Sequence, residues 1–253
     1  MGRELEGDRT GIGTDSAAGN PRHRHTHVFV GFVLGLCRCV VPESQAPRQF
    51  RLGRAAAFVF SMPQEFKWLN AALAVQRFCM EQEWPFAFIG GVAVQRWGEP
   101  RVTQDVDLTL FVGFGGEEEP IQGLLGAFAG RIPDAAEFAR NRRVLLLQSS
   151  DAIGIDVALG GFVFEEDVTR RATFEEFLPE VRLKVCTAED LIVFKVFADR
   201  PQDWVDVERV IIRQTGRLDW LYIRRQLSPL AELKEAPELM IRLEECRRRS
   251  ETA

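Results

Sequence analysis

Residues 105–107 read Asp105-Val-Asp107, two carboxylates two positions apart in a run that is otherwise apolar. Side chains in an extended strand alternate faces. Asp105, Asp107 and Thr109 would therefore share one face, while Val106, Leu108 and Leu110 fill the core from the other. Acids one pleat apart repel each other unless something positive sits between them, and a hard divalent cation with oxygen ligands, Mg²⁺ above all, suits that place. Taken alone, Asp-x-Asp reads equally well as a half-exposed strand whose acids face water. Gly90-Gly91 changes the balance. Between a strand and a helix, small residues let phosphate reach backbone N–H groups at the helix N-terminus.

Two further groups of residues have chemical potential. In residues 153–159, Ile153, Ile155, Val157 and Leu159 alternate with Gly154, Asp156 and Ala158. An acid flanked by the two smallest side chains leaves room for a ligand or metal; the plain alternative is an isolated Asp on an amphipathic strand. Residues 191–198 are apolar except for Lys195. A lysine in a helix buried nearly all round must pair with a carboxylate, reach an anionic ligand, or snorkel to the surface; the nucleotide-facing role is favoured. Asp203 and Asp206 follow one turn apart near a helix start, where acids also suit the helix dipole.

The elements that must position these residues follow from periodicity and punctuation. Helical patterns cover 63–83 and 92–97, with a short apolar strand at 86–89 between them. A strand is expected over 102–112, then a glycine-rich acidic loop at 113–120 and a helix at 121–128. Strands at 144–148 and 153–159 flank a tight turn, and after a mixed segment another strand covers 181–185. Everything beyond reads as helix. Thr187 with Asp190 makes a capping-box-like start, Pro201 suits a first turn, and amphipathic stretches cover 219–226 and 237–247. The pattern predicts an α/β or α+β core over 62–186 and an all-helical region over 187–253. Residues 1–61 read as an irregular or disordered leader carrying His23, His25 and His27.

Gly90-Gly91, then Pro100-Arg101-x-Thr103-x-Asp105-hydrophobic-Asp107, then Asp156 in a hydrophobic strand, resembles the nucleotidyltransferase superfamily. Lys195 followed by Arg200-x-x-Asp203-x-x-Asp206 resembles the branch that includes AbiEii/AbiGii-type toxins. The likeness spans residues 62–227. It implies a mixed sheet with flanking helices. It also implies that Asp105 and Asp107 hold Mg²⁺ on a nucleoside triphosphate, while Asp156 completes a second metal site and helps activate an acceptor hydroxyl. Gly90, Gly91 and Thr103 would shape the nucleotide site, Arg101 and Lys195 would neutralise phosphate, and Asp203 and Asp206 would complete it. The acceptor would be a tRNA or another RNA, or a protein, and a cognate antitoxin is an implied partner. The family often shows Gly-Ser where this chain has Gly-Gly, so no serine hydroxyl is there to touch phosphate.

Composition narrows the field. The 253 residues are 46% hydrophobic and 27% charged, ordinary for a globular protein, and a net charge of −5 provides no global field to recruit nucleic acid. Five cysteines without a Cys-x-x-Cys argue against a disulfide framework or a four-cysteine zinc site and suit a reducing cytosol. The apolar run 28–36 is too short to span a membrane. Gly113-Phe114-Gly115-Gly116 lacks the third glycine of a dinucleotide fingerprint and is followed by three glutamates. All three histidines lie in the leader, which removes Ser-His-Asp and Cys-His catalysis. Two rivals remain: a metal-dependent nuclease or phosphohydrolase, separated by its hydrolytic product, and a non-catalytic nucleotide- or partner-binding protein, separated by binding without turnover.

Overall fold

A computed structural model describes residues 66–251. The leader, its histidines, Cys37 and Cys39 lie outside the described residues. The chain runs from α1 (Lys67–Glu81) through β1 (Phe86–Phe88) and α2 (Gly90–Trp97) to β2 (Asp105–Phe111). Next come α3 (Glu118–Ala127), β3 (Ala129–Gly130), α4 (Ala135–Arg142), β4 (Val144–Gln148) and β5 (Gly154–Gly160). Then α5 (Val163–Arg171), β6 (Thr173–Leu178) and β7 (Val181–Val185) precede four helices. These are α6 (Ala188–Ala198), α7 (Pro201–Arg213), α8 (Trp220–Leu233) and α9 (Glu238–Glu251).

The strands form one seven-stranded mixed sheet in the order β3-β4-β5-β2-β1-β7-β6. The expected α/β class and the helical C-terminal region are both present. Its central pair, β2 and β5, is parallel, with Asp105 beside Gly154 and Asp107 beside Asp156. Strand β1 is antiparallel to β2 and parallel to β7. Val106, Leu108, Leu110, Ile155, Val157 and Leu159 are completely buried, as the alternation requires. The apolar core continues without a break from the sheet into α6, α7, α8 and α9. Among the described residues no helix is long and apolar enough to cross a membrane.

Several boundaries differ from the sequence reading for physical reasons. Strand β2 begins at Asp105, not at residue 102, because β5 starts at Gly154 and offers no partner further upstream. Val102 is left 85% exposed. The mixed segment folds as α5 and β6; β6 is an edge strand with no buried residue, so burial writes no pattern on it. The short, charged α4 went unrecognised for the same reason: only Ala135 and Ala139 are buried. Helix α8 runs past residue 226 and carries Pro229 inside it, forgoing one backbone bond. Thr187 caps α6 by accepting from the Asp190 N–H, and Pro201 opens α7, both as expected.

Helix α1 packs on the sheet through buried Leu69, Ala72, Val75 and Cys79 and adds one polar anchor, the Gln76 amide. β1 reaches β7 only at Phe88 opposite Val185, so part of β7 lacks a strand on that side. Gln76, 7% exposed, donates to the Arg182 carbonyl at 2.9 Å and accepts from the Lys184 N–H at 2.8 Å. Gln76→Leu would leave both backbone groups unsatisfied and should lower stability by about 2 kcal/mol. Chemical denaturation checks this; a change within experimental error would contradict it.

Candidate active site

The site forms where the start of β2 meets the start of α2. Gly90 has φ +53°, and a Cβ there would stand 2.1 Å from Asp107 Oδ2. A Cβ on Gly91 would stand 2.4 Å from Thr103 Oγ1. Both glycines are therefore required by close approach, and Gly90 also by its left-handed backbone. The Gly91 N–H donates to Asp107 Oδ2 at 3.3 Å, so the helix N-terminus points at a carboxylate. Thr103 is buried and donates to the Asp105 carbonyl at 3.0 Å. The loop that carries Arg101 and Thr103 is clamped by the end of α7, where Arg213 donates to the Gly98 carbonyl at 2.5 Å and the capping Gln214 donates to that of Trp97 at 3.0 Å.

Asp105, Asp107 and Asp156 share one sheet face on neighbouring strands. Burial first, and then the nearby charges of Asp105 and Asp156, push the Asp107 carboxyl up to about 7 against the pull of Gly91 and Lys195. Asp107 is half-buried on an open cavity, so access of water tempers the effect; upward is the direction that geometry supports. Burial likewise raises Asp156, to about 6, although Arg131 lowers it in part. Arg131 Nη2 donates to Asp156 Oδ1 at 2.5 Å. With that bond in place, the described residues contain no cluster of three or more acidic, His or Cys side chains drawn together around a metal position. The three carboxylates thus lie on one face of the sheet, Asp156 held by Arg131.

Opposite the acids stands a wall of cations from the helical region. Lys195, 6% exposed, donates from Nζ to Asp203 Oδ1 and Asp206 Oδ2, both at 2.8 Å. Arg101 donates to Asp206 at 3.1 and 3.2 Å, and Arg200 Nε to Asp203 Oδ2 at 2.5 Å. Burial alone would raise Asp206, but Lys195 and Arg101 hold its carboxyl below the usual range. Lys195 thus pairs with two carboxylates, and it also lines the cavity on which the favoured nucleotide-facing role depends. That cavity, about 470 Å³, is lined by Gly90, Gly91, Arg101, Thr103, Asp105, Asp107, Lys195 and Asp203. Asp156 and Asp206 are not in its wall. Arg200, part of the motif that follows Lys195, lines it too, as does Gln202, which breaks no pattern in the sequence. Arg131 was also missed: an arginine in a Gly-Pro loop gives no local sign of a partner 25 residues away.

A family model described as nucleotidyl transferase AbiEii toxin, type IV TA system, matches residues 79–219, more than half of the chain and every residue of the site. The chain belongs to the AbiEii nucleotidyltransferase toxin family. No curated protein matches it. Among solved structures, an antigenic nucleotidyltransferase-like protein from Paracoccidioides brasiliensis is similar at 16% identity and TM-score 0.43, over 72% of this chain and 95% of that one. The antibiotic-resistance factor ANT(2'')-Ia, in solution and in complex with adenylyl-2''-tobramycin, is 16% identical at TM-scores 0.37 and 0.36. Those matches cover 73% of this chain and 91% and 97% of the other. Family membership makes this a nucleotidyltransferase.

Two outcomes follow from the charges. Lys195→Met would strand two buried acids, with Arg101 and Arg200 as remaining partners, and should cost about 3 kcal/mol, the low end of such losses. A loss below about 1 kcal/mol in denaturation would contradict the pairing. Separately, Asp107, Asp156 and Glu165 all have raised carboxyl pKa values, the last pushed to about 7 by burial. Between the unfolded and folded pKa values the native state binds more protons than the unfolded chain. Stability of the metal-free protein should therefore fall as pH rises from about 5 to about 8. Acids whose pKa values are lowered, such as Glu118 and Asp206, lose their contribution only under more acidic conditions. Melting temperature in a chelating buffer checks this, and a flat or rising profile would contradict it.

Proposed function

We propose that this chain transfers a nucleotidyl group from a nucleoside triphosphate, with Mg²⁺ on Asp105 and Asp107, to a hydroxyl of an RNA or protein acceptor. The observation that carries the reading is one cavity with an acid corner on the sheet and a cation wall on the helices. The donor set fits the ion. Asp105 and Asp107 are neighbouring hard oxygen donors; burial first and the Asp105 charge second raise the Asp107 carboxyl, and a divalent cation would relieve the repulsion between them. Bound there, the ion supplies charge neutralisation and polarisation at the triphosphate.

The protein's own residues do the rest. Arg101, Lys195 and Arg200 carry three positive charges against the two acids Asp203 and Asp206, leaving a surplus of one toward the phosphates. Gly90 and Gly91 bring the α2 N-terminus beside Asp107, where its dipole favours an anion. The acceptor oxygen forms its bond to the α-phosphorus as the bond to pyrophosphate breaks, and Asp156 takes the hydroxyl proton. Pre-organised charge in a walled cavity is the principal source of rate here. The family description as a toxin of a type IV system supports a cognate antitoxin, which neighbouring reading frames would reveal.

Incubation with each α-labelled triphosphate, Mg²⁺ and total cell RNA or protein tests the reading. Label should enter one acceptor class with release of pyrophosphate, and Asp107→Asn should reduce it at least about 100-fold while keeping the melting temperature within a few degrees. Hydrolysis of triphosphate or RNA without label transfer would point to a phosphohydrolase or nuclease. Binding without turnover would point to a non-catalytic member.

A further inference from the structure

The strand register draws a square on the site face: Asp105 beside Gly154, and Asp107 beside Asp156. Three corners carry carboxylates and the fourth carries no side chain. Arg131 fills it. A Cβ on Gly154 would stand 2.2 Å from Arg131 Nη1 and 3.6 Å from the Asp105 Cβ, so the guanidinium lies over Gly154 and beside Asp105. Its Nη2 is bonded to Asp156 Oδ1 at 2.5 Å, with the arginine side chain 22% exposed and the carboxyl 9%. The backbone is fixed as well: the Arg131 N–H donates to the Leu146 carbonyl at 2.9 Å, on the strand next to β5.

An arginine in this position changes the charge the corner can accept. Once ionised, Asp105, Asp107 and Asp156 carry −3, Arg131 adds +1, and the remaining −2 is what one divalent cation neutralises. Arginine does not give up its proton, so this positive charge is permanent. A second divalent ion at Asp156 would have to displace a short ion pair and then share the corner with the displaced guanidinium. We propose that Arg131 takes the place of a second metal ion at Asp156, so that the site holds one divalent cation, on Asp105 and Asp107. Arg131 is then a positioning residue: it holds one oxygen of Asp156 and leaves the other for the acceptor hydroxyl. Gly154 is part of the same device, since any side chain there would evict the guanidinium. The proposal rests on the metal reading of Asp105 and Asp107 given above.

Counting Mn²⁺ by electron paramagnetic resonance, with a non-hydrolysable triphosphate bound, tests it. Wild type should bind about one ion per chain and Arg131→Met about two, with adjacent ions spin-coupled as expected at about 3.5–4 Å. Arg131→Lys, which keeps a positive charge, should stay at about one. Gly154→Ala, which leaves Arg131 intact but removes its berth, should move toward the Arg131→Met result; it serves if Arg131→Met fails to fold, as judged by melting temperature. Two ions in wild type, or one in a folded Arg131→Met and in Gly154→Ala, would overturn the proposal. No bound Mn²⁺ in any of the four would instead defeat the metal reading itself, and this inference with it.

Discussion

The buried ammonium of Lys195, bonded at 2.8 Å to both Asp203 and Asp206, is the interaction on which the site depends. A lone lysine 6% exposed would be costly, as would two carboxylates exposed at 2% and 0%. Together, and with Arg101 on Asp206 and Arg200 on Asp203, every buried charge has an opposite partner. Because Lys195 lies on α6, its acids on α7, and Arg101 on the loop before β2, one charge cluster fixes three segments at once. That loop leads directly to Asp105 and Asp107, so the helical region sets the edge of the sheet's acid corner. The arrangement explains why a cavity forms here: the cations are committed to the wall and their acids cannot swing across it.

Glycines provide the complementary constraint. Gly90 and Gly91 let α2 come up against Asp107 and Thr103, with the Gly91 N–H donating to Asp107, and Gly154 leaves room for Arg131. In each case a missing side chain admits a charged or polar one from another element. An acid corner built this tightly raises its own carboxyl pKa values, which opposes stability in the metal-free protein near neutral pH. A functional site that costs stability is the usual compromise where like charges must be held together.

Much of this was legible in the sequence, where burial imposes a period. The alternation around Asp105, Asp107 and Asp156 put all three on one face, and the expected bounds of β4 and β7 match the structure because each strand itself carries buried apolar residues, Val144 to Leu147 in one and Leu183 and Val185 in the other. The isolated charge in α6 required a partner, and Asp203 and Asp206 were at hand eight and eleven residues on. The space beside Asp156 was visible as Gly154, but not its occupant. Arg131 has no periodic context, and its partner lies across a register that only the folded sheet defines. The start of β2 was misjudged for a related reason, since pairing starts where β5 starts and no local residue says so.

The central claim is that the acid corner and the cation wall receive a triphosphate together, with a divalent ion as the link. The most direct measurement is calorimetric binding of a non-hydrolysable triphosphate to the wild-type chain, with Mg²⁺ and in excess chelator. The account predicts that affinity falls at least about tenfold when Mg²⁺ is removed, and that Asp107→Asn abolishes this dependence. Equal affinity with and without Mg²⁺ in the wild-type protein would contradict it.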